Sequence, residues 1–185
     1  MNTPRYLIES KRLGLRKLLP ADATPSYVGW LNDVEVQRYT RRRGKRFSLK
    51  DVRAFIASAA QSPDWHLAVV MKDGDRHIGN ISINNIDARN KSAELSIMIG
   101  ERSVWGMGYA SEAIALATMF AFKTLKLHRL WAESPNPAFN AVMGKLHWVS
   151  EGLRRDAFRT QRGYLDFECW SVLEREWKSE YNKAT

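Results

Sequence analysis

Between positions 105 and 111 the chain reads Trp105-Gly106-Met107-Gly108-Tyr109-Ala110-Ser111, set between an apolar segment and a long stretch of helical periodicity. Two glycines one residue apart let a backbone turn tightly and bring its N–H groups close to a ligand. A helix that starts there adds unpaired N–H groups and the positive end of its dipole, so the natural guest is a phosphate. The same glycines also serve strand-to-helix turns that bind nothing. The spacing is not the Gly-x-Gly-x-x-Gly of a dinucleotide-binding βαβ unit. A second concentration of chemistry is Arg41-Arg42-Arg43-Gly44-Lys45-Arg46. It reads as a solvated loop, as a contact to an anionic cofactor or substrate, or as a contact to nucleic acid. His66, His77, His128 and His147 show no close metal-ligand pairing, and no metal is expected. The single cysteine, Cys169, excludes a disulfide framework and a cysteine-based zinc site within one chain. Cys169 reads as a small buried apolar residue, with nothing nearby in sequence to activate its thiol.

The elements that must hold these groups alternate. Arg12–Leu18 suits a first strand, Pro25–Leu31 a helix, and Ser48 the N-cap of a second helix carrying Val52, Phe55, Ile56 and Ala59 on one face. Three strands are predicted near His66–Met71, His77–Asn84 and Ala93–Gly100, with Asp73-Gly74-Asp75 turning between the first two. The glycine loop then opens a helix from Tyr109 to about Thr124, its core face formed by Ala113, Leu116, Ala117, Phe120 and Ala121. Arg129–Glu133 reads as a strand, Ala138–Leu146 as a helix, and Val149–Phe158 with Tyr164–Glu174 as a closing strand pair. The expectation is an α/β fold with a mixed, mostly antiparallel sheet flanked by helices, rather than a series of βαβ crossovers.

With 185 residues, 44% of them hydrophobic and 26% charged, one globular domain with a real core is expected over residues 1–185, its core spanning about 9–177. The first residues lack a signal peptide's long apolar run, and no segment approaches the roughly 20 apolar residues of a bilayer span. A soluble, cytoplasmic protein without a membrane partner is expected. The net charge of +9 favours polyanionic partners, yet no nucleic-acid-binding signature accompanies it, and nucleic acid is not the expected partner.

In order along the chain come Glu9-Ser-Lys-Arg-Leu-Gly-Leu-Arg16, Trp30-Leu-Asn-Asp-Val-Glu-Val36, Ile78-Gly-Asn80 and Ser92-Ala-Glu-Leu-Ser-Ile-Met-Ile-Gly100. Trp105-Gly-Met-Gly-Tyr-Ala-Ser-Glu-Ala113, Leu127-His-Arg-Leu130, Asn136-Pro-Ala138, Glu151-Gly152, Tyr164-Leu-Asp166 and Glu176-Trp177 follow. In their order and spacing these segments resemble the GNAT acetyltransferase superfamily, in its ribosomal-protein N-terminal acetyltransferase-like branch, over about Glu9 to Trp177. The resemblance implies a splayed strand pair in the sheet and acetyl-CoA as acyl donor. The superfamily's pyrophosphate loop, Arg/Gln-x-x-Gly-x-Gly/Ala, maps onto Trp105, Gly108 and Ala110. Gly106, Met107, Tyr109 and Ser111 then offer further main-chain or hydroxyl contacts. Main-chain groups of Met98 and Ile99 are expected to pair with the cofactor's pantetheine arm. Asn136 matches the asparagine that contacts the cofactor, and Asn140 is a second candidate.

The implied reaction is direct attack of a neutral amine on the thioester, so a base must take a proton and a donor can protonate the leaving thiolate. Glu94, on the strand before the loop, is the candidate base, against a purely structural carboxylate; Glu101 is the second choice. Ser134 and Tyr164 are candidate proton donors or water-ordering groups. Trp30 and Tyr39 are expected to line the acceptor pocket. Trp105, Phe139, Met143 and His147-Trp148 depart from the family pattern, and Met143 stands where some relatives carry a tyrosine proposed as general acid. The acceptor expected is a protein or peptide N-terminus, with an amino sugar, nucleotide-linked or not, or another small amine as the alternative. A homodimer, and a non-catalytic acetyl-CoA sensor or nucleic-acid binder, remain open.

Overall fold

The computed structural model describes residues 5–177. Eight strands form one sheet in the order β1-β2-β3-β4-β5-β6-β8-β7. They are β1 (Ile8–Glu9), β2 (Leu13–Lys17), β3 (Trp65–Met71), β4 (Arg76–Asp87), β5 (Ser92–Ile99), β6 (Arg129–Ser134), β7 (Val149–Thr160) and β8 (Gly163–Leu173). All pairs are antiparallel except β5–β6, which is parallel. The helices are α1 (Pro25–Asn32), α2 (Val34–Gln37), α3 (Leu49–Ala59), α4 (Tyr109–Lys123) and α5 (Pro137–Lys145). This is the mixed α/β sheet expected. The two-residue β1 and the four-residue α2 are additions too short to leave a periodic signal. The outermost residues of the expected single domain, 1–4 and 178–185, lie outside the described residues.

Helix starts follow local chemistry. Thr24 caps α1 through the Tyr27 amide, with Pro25 at the first helical position. At α3, Ser48 accepts from the Asp51 amide while Asp51 accepts from the Ser48 amide, a reciprocal capping box.

The sheet is covered on both faces. On one, Ala113, Leu116, Ala117, Phe120 and Ala121 of α4 are buried against Leu67, Val69 and Leu95. On the other, Tyr27, Trp30 and Leu31 of α1 and Val52 and Ile56 of α3 pack on Ala68 and Val70. Alternate residues of β3 therefore enter different cores, which is why Leu67–Val70 reads as a continuous apolar run. A side chain such as Phe120, 1% exposed, contributes on the order of 1.5–3 kcal/mol by its burial.

Candidate active site

The parallel joint of the sheet is short. Strand β5 pairs with β6 only at Ser92↔Arg129, Ala93↔Leu130 and Glu94↔Trp131. Beyond Glu94 the two strands part, although β5 runs on to Ile99 and β6 to Ser134. On the β6 side the Lys91 carbonyl accepts from the Arg129 amide; on the β4 side the Gly100 amide donates to the Ile78 carbonyl. Strand alternation then aims the main-chain groups of Leu95, Ile97 and Ile99 into the gap, and those of Ser96 and Met98 at β4. Of the two residues expected to offer main-chain groups there, Ile99 faces the gap and Met98 does not.

Past β5, residues Arg102–Val104 form a 3-10 turn and Trp105 returns its indole N–H to the Ile99 carbonyl at 2.9 Å. Gly106 (φ 77°) and Gly108 (φ 81°) are both left-handed, the latter as the N-cap of α4. A Cβ at Gly106 would meet nothing, so it is the dihedral rather than crowding that calls for glycine. The first main-chain bond of α4 runs from the Glu112 amide to the Gly108 carbonyl. The amides of Gly106, Gly108, Tyr109, Ala110 and Ser111 take no main-chain acceptor among the described residues. They form an unpaired donor cluster at a helix N-terminus, which fits a pyrophosphate. Arg12, at the start of β2, ties this loop down. Its guanidinium donates to the Met107 carbonyl (3.1 Å) and to Glu112 (2.7 Å), and stacks 4.5 Å over the Tyr109 ring.

Glu94 sits where the strands part. Its carboxylate accepts from the Asn85 side-chain amide at 2.7 Å. Partial burial pushes its pKa up; the Asn85 bond opposes this, and the nearby Glu133 carboxylate adds to the rise. Glu133, on β6 across the gap, accepts from Arg41 (2.8 Å) and from Arg154 of β7, and its side chain is 9% exposed. Glu101, by contrast, caps the turn after β5 through the Ser103 amide and hydroxyl, which lower its pKa.

The remaining predicted groups scatter. Ser134 ends β6, its Oγ accepting from the Asn136 amide at 3.1 Å, so its proton is left to donate. It alternates with Glu133 and belongs to the opposite sheet face. Asn136 caps α5 with Oδ1 on the Ala138 amide, while Asn140 bridges the Ser134 carbonyl and the Trp170 indole. Met143 is fully buried in the core beneath α4 and supplies no proton there. Tyr164 is 56% exposed near the tip of the β7–β8 hairpin, in register with Arg159 and apart from Glu94. Trp30 is a core residue, 7% exposed, its ring against Gly100; a Cβ on Gly100 would overlap that ring. Tyr39 is half-buried beneath the Arg38 guanidinium.

A pocket of about 260 Å³ opens on the Glu94 face of the sheet. Its lining includes Gln37, Thr40, Arg42, Asn80, Ser82 and Ser96. The basic run is not a free loop: Arg41 reaches Glu133 and the Phe167 ring, Arg42 stacks over Phe55, and Arg43 stacks 3.8 Å over Phe158. It spans the gap from the α3 side to the β7–β8 hairpin. Neither Glu133 nor Arg12 carries a local sequence signal, because their partners lie 92 and 100 residues away.

A larger cavity of about 640 Å³, lined by Arg16, Asp22, Met71 and His77 among others, adjoins neither Glu94 nor the glycine loop. Among the described residues no group of three or more His, Cys, Asp or Glu side chains is placed to hold a metal ion, and no helix is long and apolar enough to cross a membrane.

A parallel strand pair opens over a glycine loop at a helix N-terminus, the arrangement that the resemblance to acetyltransferases implied. The acetyltransferase (GNAT) domain model matches residues 12–149, and the chain belongs to the GNAT acetyltransferase family, whose donor is acetyl-CoA. It is 28% identical over 179 residues to the "Uncharacterized N-acetyltransferase p20" of Bacillus licheniformis, covering 91% of this chain and 96% of the relative. It is 30% identical over 129 residues to the "Putative ribosomal N-acetyltransferase YdaF" of Bacillus subtilis (strain 168), covering 64% of this chain and 69% of the relative. In fold it is similar to the spermidine N-acetyltransferase of Vibrio cholerae, solved with CoA and spermine, at TM-score 0.82 and 20% identity over 91% of this chain and 99% of that one.

Proposed function

We propose that this N-acetyltransferase moves acetyl from acetyl-CoA to the amino terminus of a protein or peptide, by direct attack with Glu94 as base. The observation that carries this is the conjunction at β5. One end of the strand leads into unpaired amides suited to a pyrophosphate, and the other carries a carboxylate at the point where β5 and β6 separate. From Gly100 back to Glu94 is about 20 Å at ~3.3 Å per residue, a length for an extended arm lying in the gap. Main-chain groups of Leu95 and Ile97 line that path, and an amide facing the gap there would polarise the thioester carbonyl.

The bound donor supplies an activated thioester. Glu94, with its pKa raised by burial, takes a proton from the acceptor ammonium directly or through water, and the amine nitrogen then bonds to the acetyl carbon. The C–S bond breaks, the adduct nitrogen releases its second proton to leave the amide, and the thiolate takes a proton up; the Ser134 hydroxyl, whose oxygen already holds the Asn136 amide, can relay that proton rather than lose its own. The peptide acceptor is supported by similarity to the Bacillus subtilis relative, which is named for ribosomal N-acetylation. The second reading, an amino sugar, nucleotide-linked or not, draws support from the Arg42 guanidinium on the acceptor pocket. Thiol release from acetyl-CoA is the test, measured against N-terminal peptides and UDP-aminosugars. Turnover of peptides alone supports the first reading, turnover of sugars alone the second, and turnover of neither removes both.

A further inference from the structure

The acceptor pocket contains a buried donor that has no acceptor among the described residues. His77 holds the Asn80 amide in one orientation: its Nε2 faces both the Gly79 carbonyl (2.9 Å) and Asn80 Oδ1 (3.0 Å). A carbonyl needs a donor, so Nε2 carries the proton and the Asn80 atom facing it is the oxygen. The Asn80 Nδ2 is thereby turned away from His77, and it is buried without a hydrogen-bond partner among the described residues. The Tyr27 hydroxyl lies beside the Asn80 side chain, whose contact lowers the phenol's pKa against the larger effect of burial. Burial pushes the Tyr27 phenol up to about 12, so it too stays a neutral donor. Arg42 lines the same pocket and has no carboxylate partner among the described residues, whereas its neighbour Arg41 is matched by Glu133. Arg42 also lowers the pKa of His66, adding to burial, which keeps that imidazole neutral beside Ser82. A buried amide without a partner calls for an oxygen acceptor, and the exposed Arg42 guanidinium on the same pocket, without a carboxylate partner, favours one that is anionic.

We propose that Arg42 and Asn80 form an anion subsite, so that the acceptor is a primary amine carrying a carboxylate or phosphate at a distance from its nitrogen. The inference rests on reading this pocket as the acceptor's. Asn80 is opposite Met98, four residues along β5 from Glu94, or about 13 Å at ~3.3 Å per residue before the side chains reach inward. Amine and anion are therefore several bonds apart, which excludes free α-amino acids. A polycation would place positive charge against Arg42.

The experiment uses matched linear probes: aminohexanoate, aminohexyl phosphate and diaminohexane, each with terminal groups, and hexyl phosphate, which has no amine. Calorimetry with hexyl phosphate on protein saturated with CoA, so that the glycine loop is occupied, reads the subsite whether or not the enzyme turns over. Binding that falls about tenfold or more in Arg42→Gln, the scale of one charge-assisted hydrogen bond, supports the proposal. No binding, or equal binding by that variant, overturns it. In thiol-release assays the anionic amines are expected to exceed diaminohexane in kcat/KM, and Asn80→Asp, which puts a negative charge in the subsite, is expected to reverse the order. A wild-type preference for the diamine overturns the proposal. Carboxylate and phosphate arms separate the two kinds of anion. Binding of hexyl phosphate without turnover of any amine would leave the subsite standing and remove the peptide and sugar readings instead.

Discussion

Replacing Glu94 by glutamine separates catalysis from stability in opposite directions. The amide is isosteric and its Oε1 can still accept from Asn85, so the 2.7 Å contact survives. What is lost is the ability to take a proton, and removal of a general base costs about 10²–10⁴ in rate. At 1.36 kcal/mol per tenfold that is roughly 2.7–5.4 kcal/mol of transition-state stabilisation. Stability runs the other way. A carboxyl whose folded pKa is raised contributes stability that is present below its unfolded pKa and is lost as pH rises through the folded one. At neutral pH the ionised Glu94, half-buried and near Glu133, is therefore a liability that glutamine relieves. The Glu94→Gln variant should melt at or above the wild-type temperature at pH 7.5, with the difference shrinking as pH falls. Its kcat/KM should also lose the acid limb, which in the wild type stands above the usual carboxylate range. The assays are thiol release across pH and thermal melts at matched pH. A fall in kcat of under about threefold, far short of a lost base, would refute the assignment. A drop in Tm at neutral pH would show that Glu94 is a structural carboxylate.

Alanine at Gly108 forces a Cβ into a left-handed residue at an expected cost of about 1–2 kcal/mol, and it displaces the amides proposed to meet the cofactor. The readout is a higher acetyl-CoA KM in steady-state assays, with a few degrees lost in Tm. Arg12→Ala removes three ties on the same loop and should raise the acetyl-CoA KM while leaving the acceptor KM unchanged, by initial-rate analysis. Gly100→Ala drives a Cβ into the Trp30 ring, an overpacking of about 1–3 kcal/mol that a denaturant melt will report. Arg16→Met strips the bidentate partner from Asp22, a residue 5% exposed, and should cost about 3–5 kcal/mol. Burial alone would raise the Asp22 pKa, but the Arg16 and Leu19 bonds outweigh it and the net shift is downward. The stability that Asp22 contributes is accordingly present above its unfolded pKa and lost as pH falls through the folded one, a dependence that Arg16→Met should abolish.

The regular elements were legible because their causes are local. Ser48 and Asp51 announce the start of α3, and the spacing of Ala113, Leu116, Ala117 and Phe120 announces the buried face of α4. The glycine turn was legible because positive φ leaves a mark on residue type. Its place in a transferase came from resemblance and not from spacing. What stayed hidden was set by long-range packing. Nothing around residue 105 says that the tryptophan turns its indole back onto the Ile99 carbonyl. Trp30 was expected at the acceptor, yet an aromatic beside a glycine at the end of a neighbouring strand packs as core. The basic run gives no sequence sign that Arg41 and Arg43 are engaged by Glu133 and Phe158 while Arg42 is left unmatched.

The three-residue joint between β5 and β6 makes the sheet two slabs welded along a short seam. One slab holds β1 to β5, the other β6 to β8, and the Arg41–Glu133 bridge is a second tie across the opening. An extended arm lying between Ile97 and β6 would act as a missing strand, offering polar groups to an edge that otherwise meets water. A ligand that completes a sheet stabilises it by about RT ln(1 + [L]/Kd) and stiffens whatever the two slabs enclose. The pocket proposed for the acceptor lies on the face of the sheet beside that seam, so a donor bound in the opening would set the spacing the acceptor must fit. Initial-rate and product-inhibition patterns with the donor entering first are the expected outcome.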